Sequence, residues 1–201
     1  MVTRPGPDAV RAEIINAALA RITTGGAEQV SLRPLMAELS LTTGAFYRCF
    51  PGGREDLLNA VARTASQRVL DLLPDAETID ALAPYDALLE LGRGLIDLMR
   101  EQGRLLEFVL SYPLADDEGP YPLAQRTLTT VERAAADHGL DGSLLFTQLW
   151  GFVCGLGQLT RLGLVADPES LMSATLAALL SGDEPAQAPV SAASLKENRS
   201  S

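Results

Sequence analysis

An all-helical protein is what the sequence predicts, and three observations carry the prediction. Apolar residues recur three and four apart along most of the chain, which gives successive segments one apolar face each. Start and stop signals alternate at helix-length intervals: Asp8, Ser31, Thr42 and Asp167 precede such segments, and Gly25-Gly26, Pro51-Gly52-Gly53, Pro74 and Gly182 follow them. Strict apolar-polar alternation, the mark of a half-buried strand, is close to absent.

The elements follow in chain order. Pro7 or Asp8 opens a first helix with the stripe Val10, Ile14, Ala17 or Ala18, and Ile22, and Gly25-Gly26 ends it. Ser31 is placed to cap a short second helix over 32–39 with Leu32, Leu35, Met36 and Leu39 inward. Pro34 is tolerated there, because the carbonyl it would meet lies outside the helix and its missing N–H belongs to the free first turn. Ser40-Leu41 leaves room only for a turn, and Thr42 caps a third helix running to about Arg48. Beyond Pro51-Gly52-Gly53 a longer helix runs from Arg54 to Leu73, with Leu57, Leu58, Val61, Ala65, Val69 and Leu72 as its stripe and Pro74 as its stop. Further helices are expected over 84–101, 103–112, 121–138, 143–164 and 168–181. The last opens on Asp167-Pro168-Glu169, which joins a side-chain cap, proline at the first helical position and an acid favoured by the helix dipole. LADDEGPYP, residues 114–122, is the longest polar break, and 183–201 reads as a disordered tail.

With 201 residues, 47% of them hydrophobic, the chain has ample material for a core. Its net charge of −10 argues at first against nucleic acid, whose phosphates are met mainly by Lys and Arg. The average hides an asymmetry. Residues 1–68 hold eight Arg against six acids, whereas residues 69–201 hold eight Lys or Arg against twenty acids. A mildly basic head on an acidic body is what an anion-binding module joined to a separate sensing domain would show. Cys49 and Cys154 stand far apart without a C-x-x-C, and MVTRPGPDA lacks an apolar run; both predict a cytoplasmic chain with reduced thiols and no leader.

The nine residues TTGAFYRCF, 42–50, carry the functional reading. On a helix Phe46 and Phe50 share one face, and Thr42, Thr43, Tyr47 and Arg48 lie on others. Two short helices joined by a tight turn and preceded by a third have the proportions of a helix-turn-helix. The domain boundaries expected are 8–54 for that DNA-binding unit, linked by the helix over 54–73, and 74–182 for the helical body. Thr42, Thr43 and Gly44 would sit at the N-terminal end of the reading helix, where free N–H groups favour phosphate and side chains reach base edges. Tyr47 offers a phenol to phosphate, Arg48 and Arg54 supply charge, and Ser31 and Arg33 do so from the start of the second helix.

At residues 30–61, VSLRPLMAELSLTTGAFYRCFPGGREDLLNAV, the chain resembles the DNA-binding domain of TetR/AcrR-type transcriptional regulators, most specifically in Phe46-Tyr47, Phe50 and Leu57-Leu58. The FPGGRED loop is similar to that of the LmrA/YxaF-like branch. Ser40 stands where that family's turn usually has Gly, a site that commonly needs a left-handed backbone. The resemblance implies a repressor that binds a palindromic double-stranded operator as a homodimer and is released by a small apolar effector. It implies that the body over 74–182 is a ligand-binding and dimerisation domain with a pocket, for which Leu95, Met99, Leu106, Phe108, Val109, Tyr112, Tyr121, Leu128, Phe146, Trp150 and Phe152 are candidate walls and Arg104, Gln125 and Gln148 candidate polar contacts.

Residues 144–165 hold one charge in twenty-two and nearly reach membrane-span length, but Gln148, Gln158 and Arg161 interrupt them. The expectation is a homodimer seam made with the helix over 168–181, through Gly151, Gly155, Leu159, Leu171 and Leu176; an intrachain core helix is the alternative. Catalysis is not expected. His138 is the single histidine and precedes a helix-ending Gly139, Gly92-x-Gly94 lies inside a helical pattern, and Asp116-Asp117-Glu118 reads as a solvated loop. Neither a metal nor a cofactor is expected. With Arg48 the single charge of the reading helix, the other reading is a helical ligand-binding or protein-interaction module with weak or lost DNA binding.

Overall fold

Pro7 opens α1 (Pro7–Gly25) at its first position, where the absent N–H is no loss. In the computed structural model, which describes residues 6–112, 115–116 and 119–181, nine more α-helices follow. They are α2 (Leu32–Glu38), α3 (Thr43–Cys49), α4 (Arg54–Leu72), α5 (Ala76–Ala81), α6 (Pro84–Glu101), α7 (Gly103–Ser111), α8 (Pro122–His138), α9 (Gly142–Arg161) and α10 (Pro168–Ser181). A 3-10 turn spans Ala27–Gln29, and a two-residue antiparallel pairing sets Ala115 opposite Pro120 and Asp116 opposite Gly119. The fold is all-helical, as expected.

One apolar cluster runs from Ile14 in α1 to Leu180 in α10. α1 buries Ile15 and Leu19 in addition to Ile14, Ala18 and Ile22, a wider face than a single stripe, because α3, α4 and α7 all pack on it. α4 runs back across α1 and also meets α7 and α8, so the long connecting helix ties the N-terminal helices to the remainder. Farther along, α6, α8, α9 and α10 pack on one another.

Several local expectations are corrected. Ser31 stands at the N-cap of α2 but its hydroxyl accepts no capping N–H: Pro34 has removed one of the two donors such a cap would use. The start of α2 is satisfied by the Leu35 N–H donating to the Ser31 carbonyl at 3.2 Å, and the helix is tied to α1 by Arg21 on Glu38 at 2.6 Å. Leu72 is 52% exposed, and Leu73, one residue on, takes the inward position as α4 ends. α5 is an additional element. Asp75 caps it by accepting the Thr78 N–H at 2.8 Å, and Ile79 anchors it. Two guanidiniums from α8 hold it in place, Arg126 on the Ala76 carbonyl and Arg133 on that of Ile79, each at 3.0 Å.

Other caps form as expected. Thr42 accepts the Ala45 N–H at 3.2 Å, and Asp167 accepts the Ser170 N–H at 3.0 Å and its hydroxyl at 2.6 Å. Gly139, at φ 67°, ends α8, and His138 donates from Nδ1 to the Ala134 carbonyl at 2.9 Å. Among the described residues no helix is long and apolar enough to cross a membrane. Gly182, the expected end of the last helix, and the tail 183–201 lie outside the described residues.

Candidate functional site

α3 has two chemically different faces. Phe46 and Phe50 are each 1% exposed, with ring centroids 5.3 Å apart, and they contribute roughly 1.5–3 kcal/mol each by leaving water. The Arg11 guanidinium of α1 lies 5.1 Å over the Phe50 ring, which closes the inner face against the first helix. On the outer face Thr42, Thr43, Gly44, Tyr47 and Arg48 are all exposed, Tyr47 by half. A Cβ placed on Gly44 would meet nothing within 4 Å, so the N-terminal end of α3 is open to close approach.

The position of α3 is set at both ends. Before it, Ser40 adopts φ 53°, the left-handed region, and the Leu41 N–H donates back to the Met36 carbonyl at 2.9 Å. The turn between α2 and α3 is thus made by a non-glycine residue at a cost of roughly 1–2 kcal/mol. After α3, the Gly53 N–H donates to the Phe50 carbonyl at 2.9 Å, and Gly53 starts α4 at φ 75° beneath the Tyr47 ring. A side chain at Gly53 would be strained at that φ, which accounts for the second glycine of FPGGRED.

The cations around α3 fall into two groups. Among the described residues Arg33 and Arg48, both exposed, make no ion pair or hydrogen bond. Arg54 is engaged: its Nε donates to the Val30 carbonyl at 3.3 Å and its guanidinium to that of Ala27 at 3.4 Å. Ser31 is exposed beside Arg33.

The pocket-wall candidates are dispersed rather than gathered. Met99 and Leu106 border a cavity of about 300 Å³ between α6, α7 and α9. Phe108, Tyr112 and Arg104 border a second, of about 380 Å³, that reaches Gly26, Ala27 and Glu28. Leu95 and Trp150 border a third, almost wholly apolar and only about 40 Å³. Tyr121 is buried with the Arg63 guanidinium 5.1 Å over its ring, and Phe146 stacks on Trp150 at 5.6 Å. Gln125 is exposed on α8 and donates to the Thr129 hydroxyl at 3.5 Å. The first two cavities also use Glu107, Ser111 and Arg161, which sequence reasoning did not assign to a pocket. No local pattern marks them, since the cavities arise from how distant helices meet.

The seam candidates divide as well. Gly151 and Gly155 lie on an open face of α9, where an added Cβ would meet nothing within 4 Å; Leu159 (44%) on α9 and Leu171 (46%) on α10 are also exposed. Leu176 is 2% exposed and packs inside its own chain, so it is a core residue rather than a seam residue. Gly157 faces inward: a Cβ there would stand 3.0 Å from the Met99 methyl carbon.

Both cysteines are free thiols, and burial pushes the Cys154 thiol above its ordinary range. Among the described residues no group of three or more His, Cys, Asp or Glu is placed to hold a metal; Asp117 and Glu118 of the acidic loop lie outside them.

Comparison with known proteins adds the fold and no more. No protein-family model matches the chain, and no curated protein matches it. Among solved structures the all-helical architecture has a counterpart. The chain is similar to a protein of unknown function from Rhodococcus sp. RHA1, with a TM-score of 0.65 and 18% identity over 90% of this chain and 97% of that one.

Proposed function

We propose that the chain is a DNA-binding transcriptional regulator of the TetR type, a homodimeric repressor acting in the cytoplasm and released from a palindromic operator by a small apolar effector. In this reading α2 and α3 are a helix-turn-helix and α3 is the reading helix. One observation carries it: the outer face of α3 presents Thr42, Thr43, Tyr47 and the unpaired Arg48 above an inner face sealed by Phe46 and Phe50. An α3 fastened by two aromatic rings and bare on its other side is suited to lie in a major groove, with Arg33 and Tyr47 on flanking phosphates.

The exposed Gly151, Gly155, Leu159 and Leu171 support a seam between two copies made by α9 and α10. An isologous dimer would set two copies of α3 about one DNA turn (~34 Å) apart, or a multiple of it, and so read a palindrome. A second reading, a helical module without DNA binding, is favoured by one observation: Arg54 is occupied by the Val30 and Ala27 carbonyls, which leaves Arg33 and Arg48 as the unpaired cations there. Neither reading assigns an enzyme activity.

Gel-shift of the DNA upstream of the protein's own coding sequence tests the proposal. Sequence-specific retention by the wild type, lost in Tyr47→Ala and Arg48→Ala with circular dichroism unchanged, is expected. Retention that survives both substitutions would remove α3 from the interface.

A further inference from the structure

Residues 69–201 hold twenty acids against eight basic residues, so a guanidinium there should find a carboxylate. Arg93, Arg100, Arg126, Arg133 and Arg161 each do, within 4 Å. Arg104 does not: among the described residues it makes no ion pair or hydrogen bond, and it lines the cavity of about 380 Å³ beside Phe108 and Tyr112.

That cavity and the one of about 300 Å³ share Glu107, Ser111 and Arg161 as a common wall. The shared charges are already balanced. Arg161 lies 3.3 Å from the Glu107 carboxylate, and Gln158 donates to it at 3.4 Å. Glu28 also lines the larger cavity and, among the described residues, makes no ion pair or hydrogen bond; its carboxylate lies over Gly26, 2.6 Å from where a Cβ would stand. Past the Glu107–Arg161 pair the smaller cavity is walled mainly by Met99, Leu106, Leu110 and the bare backbone of Gly155 and Gly157. An unpaired cation in the larger cavity, beside Phe108 and Tyr112, and an adjoining, mainly apolar smaller cavity, with the Glu107–Arg161 pair between them, together match an anionic head on an apolar tail.

We propose that this cleft binds an apolar monocarboxylate, with its carboxylate on Arg104 and its tail against Met99, Leu106 and Leu110. The cleft also touches Ala27, whose carbonyl accepts from Arg54 at the start of α4, directly after the loop that follows α3. Occupation would therefore bear on the segment that holds Arg54, and this regulatory consequence rests on the regulator reading above; the binding site itself does not.

The test is calorimetric titration of the full chain with decanoate below its micelle concentration, alongside decanol, decylamine and acetate. Decanoate should bind, and acetate should not, for want of a tail. Decanol and decylamine should bind at least about tenfold more weakly. Arg104→Gln should weaken decanoate at least about tenfold, as loss of a charge-assisted bond requires, and Arg104→Lys should restore most of it. Arg104 is exposed, so neither variant threatens the fold. Equal affinity for decanoate in wild type and Arg104→Gln, or decylamine binding as tightly as decanoate, would overturn the proposal. No DNA enters the measurement: decanoate binding through Arg104 by a protein that retains no DNA would refute the regulator reading and leave the site standing.

Discussion

Phe46 and Tyr47, adjacent in sequence, stand edge to face with ring centroids 5.3 Å apart and planes at 80°, one ring sealed in the core and the other half in solvent. The pair separates fastening from reading, and the two roles answer to different measurements. Phe46→Ala should cost about 3–5 kcal/mol in urea unfolding, because a fully buried ring is lost between α1 and α3. Tyr47→Ala should cost about 1 kcal/mol or less, since it removes an exposed ring, yet it should abolish specific DNA retention. Equal destabilisation by the two would assign Tyr47 to packing instead.

Ser40 offers a gain. It holds a left-handed backbone with an exposed side chain, so Ser40→Gly relieves strain at the turn between α2 and α3. The expected result is about 1 kcal/mol of added stability, seen as a higher urea midpoint at unchanged slope. A lower midpoint would mean that the greater freedom of glycine in the unfolded chain outweighs the relief.

Gly155→Leu tests the seam. Within one chain a Cβ at position 155 meets nothing within 4 Å and the rest of the leucine can enter the cavity that Gly155 borders, so thermal stability of the monomer should hold while sedimentation shifts from dimer to monomer. An unchanged dimer would place the interface elsewhere.

The capping carboxylates give a pH signature. The Asp75 carboxyl is held below its ordinary range chiefly by the Thr78 N–H it accepts, and Asp167 by the hydroxyl and N–H of Ser170. A depressed folded-state pKa contributes stability that is fully present above the ordinary carboxylate range and is lost as pH falls through the depressed value. Melting temperature should therefore fall on acidification below about pH 4. The double variant Asp75→Ala, Asp167→Ala should melt lower at pH 7 and lose less over the same acid range. Parallel curves for the two proteins would show that the caps contribute nothing there.

Most of the helix order was legible because Thr42, Asp167 and Gly139 act locally and their signals lie within a few residues of the caps they make. α5 was not, since six residues with one buried anchor show no periodicity and are held by Arg126 and Arg133 from some fifty residues downstream. Ser31 misled because Pro34 left the Arg33 N–H as the one remaining donor, and the Ser31 hydroxyl does not accept it. For Leu171 and Leu176, five apart on α10, spacing gave no means to tell which looks outward; packing on α6, α8 and α9 decides it. The two faces of α3 were readable from Phe46 and Phe50. Arg104 stood among the pocket candidates, but its lack of a partner was not legible, because an unpaired cation can be recognised only once every carboxylate around it has a position.

The central claim is that the outer face of α3 reads DNA. It is tested most directly by selecting random-sequence duplexes on the wild-type protein at low salt and sequencing what is retained. The account predicts enrichment of one palindromic site, lost with Arg48→Ala and weakened steeply by added salt as phosphate contacts are screened. Retention of no duplex, or of duplexes without a common sequence, would contradict it.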